Sequence, residues 1–100
     1  RVNMKESAFQ RKFLKEVKKI FPEAIIMKND SSYLQGISDF TILFPNGKWA
    51  LLEFKKSSHS NVQPNQEYYV EKAKTCSYGA FVSPENAEVI LNEIQESFFS

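Results

Sequence analysis

The chain has 100 residues, 42% of them apolar and nine of them Phe, with a net charge of +1; this suits one packed domain over residues 1–100 and excludes two domains or an intrinsically disordered chain. No apolar run approaches the roughly 20 residues of a membrane span. One Cys and one His exclude an internal disulfide and a structural zinc site, and point to a reducing, cytoplasmic setting.

Residues 5–20 read as a helix, because Phe9, Phe13, Val17 and Ile20 recur at helical spacing and Pro22 fits its end. The first 20 residues hold seven basic side chains (Arg1, Lys5, Arg11, Lys12, Lys15, Lys18, Lys19) and two acids. Such an end suits a phosphate backbone, or is a solvated helix face. Residues 84–100 are the reverse, with Glu85, Glu88, Glu93 and Glu96 and no basic residue. Glu6 falls near the centre of the apolar stripe at about 100° per residue. A carboxylate there is either frayed into water or aimed at a site.

Ala24 to Lys28 is a short strand, and Asn29 to Gly36 a polar loop. Residues 39–44 and 49–54 are rich in aromatic and branched residues and form a hairpin around Pro45-Asn46-Gly47-Lys48. A two-residue loop at Asn46-Gly47 would pair Asp39 with Phe54 and send Asp39 and Glu53 to opposite faces. A three-residue loop puts Pro45 and Asn46 in a type I turn and Gly47 in the left-handed bulge position. Phe44 then pairs with Lys48, and Asp39 sits opposite Glu53; this second register is the expectation. Glu53 and Lys55 share a face in either case.

Ser57 to Asn65 is a second polar loop, Gln66 to Thr75 a helix and Gly79 to Ser83 a strand. Ser83 and Pro84 start the last helix as N-cap and first position, with Ala87, Ile90, Leu91 and Ile94 as its apolar face. The link from 49–55 to 79–83 is a parallel crossover, right-handed by rule. The expected class is therefore α/β (α+β), in the order α-β-β-β-α-β-α, with a mixed sheet and helices packed on it.

Asp39, Glu53 and Lys55 bring two carboxylates and an ammonium onto strands that otherwise read as buried. Such charges are costly in an apolar setting unless they bind something charged. A divalent metal ion with a phosphate is the natural ligand.

An acid opening one strand and Glu-x-Lys on the next, here Asp39 and Glu53-Phe54-Lys55, resembles the PD-(D/E)XK nuclease superfamily. Gly36 two residues before Ser38-Asp39, the upstream helix with Glu6 and the downstream helix with Gln66 make the chain look most like the virus-type replication-repair nucleases (VRR-NUC), relatives of phage junction-resolving endonucleases. The resemblance runs from about Glu6 to Ile94. Ser38 stands where that family usually has Pro, a backbone preference that ligates nothing.

The resemblance implies a restriction-endonuclease-like core and Mg²⁺- or Mn²⁺-dependent hydrolysis of DNA to a 5′-phosphate and a 3′-hydroxyl. It implies metal ligation by Asp39, Glu53, the carbonyl of Phe54 and Glu6, with Lys55 at the scissile phosphate. Gln66 matches a glutamine of the family. It would orient a water or hold a phosphate oxygen, or be an ordinary first-turn residue; Gln63 competes for this match. Relatives of this size act as homodimers on branched DNA such as Holliday junctions or flaps, and a phage or bacterial origin would fit. A sequence-specific homing or restriction-type endonuclease and a catalytically inactive nucleic-acid-binding module are the rival readings.

The remaining polar candidates are weaker. Lys56 points to the other face from Lys55. His59 sits alone in a polar loop, and Ser57, Ser58 and Ser60 lack the partners of a nucleophile. Tyr68 and Tyr69 suit core and surface better than base stacking. Phe98 and Phe99 are apolar enough for a dimer interface or for folding back on the core.

Overall fold

Seven elements follow the expected order: α1 (Met4–Ile20), β1 (Ile25–Lys28), β2 (Phe40–Leu43), β3 (Trp49–Phe54), α2 (Pro64–Cys76), β4 (Tyr78–Val82) and α3 (Ala87–Phe99). The computed structural model describes residues 4–99, and side chains from Ser7 to Phe98. The strands form one sheet in the order β1-β2-β3-β4. The first two pairings are antiparallel and the third, across the α2 crossover, is parallel. The sheet is therefore mixed, as the sequence predicts.

Strand alternation divides β3 between two layers. Ala50, Leu52 and Phe54 face one side with Ile42, Phe44, Ala80 and Val82. They pack on Phe13 and Val17 of α1 and on Ile90, Ile94 and Phe98 of α3. Leu51, Glu53 and Lys55 face the other side, where α2 lies with Val70 and Ala73 buried. The approach of α2 depends on Gly79. A Cβ there would sit 2.5 Å from the Val70 carbonyl oxygen and 2.7 Å from the Ala73 Cβ. The missing side chain thus sets how closely α2, and the residues at its start, come to β3.

The hairpin adopts the three-residue loop. Phe44 N–H donates to the Lys48 carbonyl at 2.8 Å and Gly47 N–H to that of Phe44 at 3.1 Å. Gly47 has φ +85°, the left-handed region that glycine occupies at least cost. The ladder pairs Phe40 with Leu52 and Leu43 with Trp49, so one further step sets Asp39 opposite Glu53.

Two helix starts differ from the sequence expectation. Helix α2 begins at Pro64, two residues early, with Gln63 as its N-cap; Pro is at home in a first turn, where its missing N–H is not needed. Helix α3 begins at Ala87 and Ser83 does not cap it. Residues 83–86 form a turn instead, closed by Asn86 N–H to the Ser83 carbonyl at 3.1 Å. The Asn86 side chain accepts from Ser83 N–H and donates to the Phe81 carbonyl, both at 2.9 Å, so it takes the backbone away from the helix. Of the two readings of Phe98, the structure shows the fold back on the core: its ring stacks on Phe44 at 4.3 Å. The side chain of Phe99 lies outside the described residues.

At the other end of the chain, Lys18 donates its ammonium to the carbonyls of Pro22 and Ala24, at 3.0 and 2.8 Å. One of the seven basic residues thus closes the C-terminus of α1, where the helix dipole favours a cation. Among the described residues no helix is long and apolar enough to cross a membrane.

Candidate active site

The open ends of β2 and β3 carry the acid pair. Asp39 immediately precedes β2, and its carbonyl accepts the Asn29 N–H at 2.9 Å. Its carboxylate turns inward, and Oδ2 accepts the Phe54 N–H at 2.8 Å. That bond replaces a backbone ladder bond and fixes the carboxylate against the end of β3. The chain could not have placed it there in the other register.

Glu53, the partner of Asp39 across the strands, is 95% buried, with 5% of its surface exposed. Its Oε2 accepts from the Gln66 amide at 3.1 Å. Its Oε1 is buried with no hydrogen-bond partner among the described residues. Burial, reinforced by the Asp39 carboxylate and opposed by the Lys55 ammonium, pushes Glu53 well above the ordinary carboxylate range. An orphan carboxylate oxygen in a buried site costs free energy, on the order of 1–3 kcal/mol or more. Once Glu53 is ionised, that oxygen calls for a positive partner.

Lys55 does not supply that partner directly. Its ammonium donates to the Gln66 side-chain oxygen at 2.8 Å and to the Asn61 carbonyl at 3.0 Å. The side chain passes over the Phe81 ring, 6.0 Å from its centroid; Phe81 is paired with Glu53 across the parallel ladder. Gln66 is therefore the hub of the site. Its amide NH₂ meets Glu53, while its oxygen accepts from Lys55 and, at 3.1 Å, from the Gln63 N–H. The last bond is half of a capping box at the start of α2, the motif in which a third-position side chain reaches back to the N-cap backbone.

Asp39, Glu53, Gln63 and Gln66 line a cleft of about 360 Å³ between the β1–β2 loop and the first turn of α2. Gly36 holds the two walls together. It has φ +85°, and a Cβ on it would lie 2.2 Å from the Asn65 Cβ. Next to it Ser38 is fully buried, with its hydroxyl unpartnered among the described residues. A position whose side chain makes no hydrogen bond is one where Pro would lose none.

Of the sequence candidates, Asp39, Glu53 and Gln66 line this cleft, and Lys55 joins them through its bond to the Gln66 oxygen rather than lining it. Glu6 lies within α1, but its side chain is outside the described residues; the neighbouring Phe9 and Phe13 rings pack on Phe54 at 5.9 and 5.5 Å, which brings that end of α1 to the strand end carrying the site. Gln63 lines the cleft and donates its backbone N–H to the Gln66 oxygen. Lys56, His59 and Tyr68 are exposed and Tyr69 is half-buried; none of these four lines the cleft. Sequence reasoning missed the Asn61 carbonyl, which no side-chain pattern advertises. It also missed the capping box, which Gln63-Pro64 followed by Gln66 does spell out.

Asp39 and Glu53 offer hard oxygen donors side by side, the kind that Mg²⁺ and Mn²⁺ prefer. The Glu53 Oε1, without a hydrogen-bond partner among the described residues, is the specific reason such an ion fits. No group of three or more His, Cys, Asp or Glu residues gathers among the described residues, where the carboxylates at the cleft are those of Asp39 and Glu53.

The architecture defines an α+β protein whose acid pair closes one end of a mixed sheet. A solved structure described as a "VRR_NUC domain" is similar to this chain, with a TM-score of 0.69, 21% sequence identity, and coverage of 90% of this chain and 97% of that one. The chain thus has the VRR_NUC fold, as its sequence resemblance implies. No protein-family model matches the sequence, and no curated protein does.

Proposed function

We propose that the chain is a divalent-metal-dependent endodeoxyribonuclease acting on branched DNA. The observation that carries this reading is the buried, half-unpartnered Glu53 beside Asp39, tied through Gln66 to Lys55, on a fold shared with a VRR_NUC domain.

In this reading Asp39 and Glu53 hold Mg²⁺ or Mn²⁺, with the Phe54 carbonyl and Glu6 as further donors. The bound ion supplies a Lewis acid for the scissile phosphate and lowers the pKa of a water. The chain's own residues do the rest. Phe54 N–H orients the Asp39 carboxylate. Gln66 holds the Glu53 carboxylate and the Lys55 ammonium at fixed positions and keeps them from collapsing into a direct ion pair. Lys55 then presents its charge to the phosphate oxygens, where negative charge grows during displacement. The arrangement is set before substrate arrives, so little reorganisation accompanies the reaction.

The exposed Arg11, Lys12 and Lys15 of α1 add sequence-independent attraction for a phosphate backbone. Two such sites in a homodimer would allow paired cuts on opposite strands. Incubation with plasmid and with a four-way junction, in Mg²⁺, Mn²⁺ and EDTA, tests the proposal. Metal-dependent cutting of the junction is the expected outcome. Cutting at one duplex sequence would transfer the protein to a homing or restriction type, and binding without cutting in either metal would refute the catalytic reading.

A further inference from the structure

The β1–β2 loop carries a feature that catalysis does not use. In a polar run, Asn29 to Gly36, it places Tyr33 and Leu34 side by side. Tyr33 is 91% exposed and Leu34 42%. An aromatic ring left in water forfeits the burial that normally favours it. A frayed loop would explain that cheaply, but this loop is braced by hydrogen bonds at several points along its length.

Asn29 donates its amide to the Ser38 carbonyl and to the Thr41 hydroxyl, each at 2.9 Å. The Asp30 carboxylate accepts from the Ser32 N–H at 2.9 Å and hydroxyl at 2.6 Å. Its carbonyl accepts the N–H groups of Tyr33 and Leu34, and Ile37 N–H closes back on the Leu34 carbonyl at 3.1 Å. Gly36 then seats the loop on Asn65 of α2. The same loop forms a wall of the cleft that contains Asp39 and Glu53, through Ser31, Gln35 and Gly36. The exposed ring thus belongs to a hydrogen-bonded loop whose neighbouring residues, Ser31, Gln35 and Gly36, wall the acid site.

We infer that Tyr33, with its exposed neighbour Leu34, stacks on an unpaired or unstacked nucleobase next to the phosphate held in the cleft. This rests on the nuclease reading and sharpens it. A continuous duplex keeps its bases stacked inside and gives Tyr33 nothing to cover. A branch point exposes a base face, which an aromatic ring recognises whatever the base, and apolar side chains of this kind serve as wedges at disrupted base steps. Tyr33 is therefore a specificity-determining residue: it favours the branch over the linear duplex and leaves the chemistry to Asp39, Glu53 and Lys55.

The test uses the full chain carrying Asp39→Asn, so that DNA stays intact, with and without Tyr33→Ala. Binding is measured to a four-way junction with 2-aminopurine at the branch and to a linear duplex of equal length. Tyr33→Ala should weaken junction binding about tenfold, the order of one lost stacked base, and should abolish protein-induced quenching of the 2-aminopurine. Duplex binding, which runs on phosphate contacts, should change by less than about twofold. Tyr33→Phe and Tyr33→Trp should both restore the preference, because they restore a π face. Equal losses on both DNAs, no loss on either, failure of Tyr33→Phe to restore, or absence of DNA binding by the parent would overturn the inference. Metal-dependent cleavage by the chain with Asp39 intact is scored separately. Cutting with an unchanged junction preference after Tyr33→Ala defeats the stacking role alone; a Tyr33-dependent preference without cutting defeats the nuclease reading alone.

Discussion

The two ends of the β2–β3 hairpin obey opposite rules. At the turn end, Phe44 is covered by Phe98 at 4.3 Å and Phe21 at 4.8 Å, and Asn46 ties the turn to the Phe98 carbonyl at 2.6 Å. At the open end, one residue beyond the last ladder pair, the same two strands bury a carboxylate with one oxygen unpartnered among the described residues, next to a second acid. The first end gains stability from packing. The second gives some up, and a carboxylate buried at that cost is typical of a functional site. One pair of strands thus separates holding the fold from holding a ligand by only a few residues.

Substitutions at the two ends should separate these effects. Asp39→Asn and Lys55→Ala should each abolish cleavage, by about 10²-fold or more from lost charge stabilisation alone, while junction binding and the melting temperature stay close to those of the parent. Cleavage assays beside gel shifts measure both. Phe44→Ala should do the reverse. Loss of a buried ring costs about 3–5 kcal/mol, visible in chemical denaturation, whereas the folded fraction should still cut at low temperature.

Gly36→Ala joins the two properties. Its positive φ and the 2.2 Å clash with Asn65 strain the loop by about 1–3 kcal/mol and push against the helix start that carries Gln66. A denaturation curve and a cleavage rate should therefore fall together. At Gly47, which has the same φ but open space around it, alanine should affect stability alone.

The smallest expected change has the most informative sign. Glu53 is raised from an ordinary 4.5 to about 8, first by burial and then by Asp39. The fold therefore favours its protonated form. That contribution is complete below about pH 4.5 and is lost as pH rises through about 8. In EDTA the melting temperature should decline over this window, and Glu53→Gln should remove the decline. The variant should melt higher than the parent at about pH 9, by on the order of 1 kcal/mol or roughly 4–8 °C, yet cut no DNA. Mn²⁺ should stabilise the parent increasingly over the same rise in pH, because the ion needs the ionised carboxylate.

Much of this contrast is legible in the sequence. Pro45-Asn46-Gly47 encodes a three-residue loop, and period-two alternation then carries Asp39 to Glu53 without further information. The apolar spacing of α1 is equally direct. Gln66 is different. Its residue type and first-turn position are readable, but its contact with Glu53 depends on how closely α2 lies on β4. That distance is set by Gly79, 13 residues later, through a contact no local pattern reports. The start of α3 was misread because Asn86 competes for the same backbone groups as Ser83-Pro84, and only the turn geometry shows which wins. Glu6 stays an expectation from the helical stripe.

A crystal soaked in Mn²⁺ and recorded at the manganese absorption edge tests the central claim most directly. The account predicts an anomalous peak within coordinating distance of Glu53 Oε1 and the Asp39 carboxylate, lost in Asp39→Asn. A fully occupied Mn²⁺ elsewhere, with the Asp39–Phe54 and Glu53–Gln66 bonds undisturbed and no density between the two acids, would contradict it.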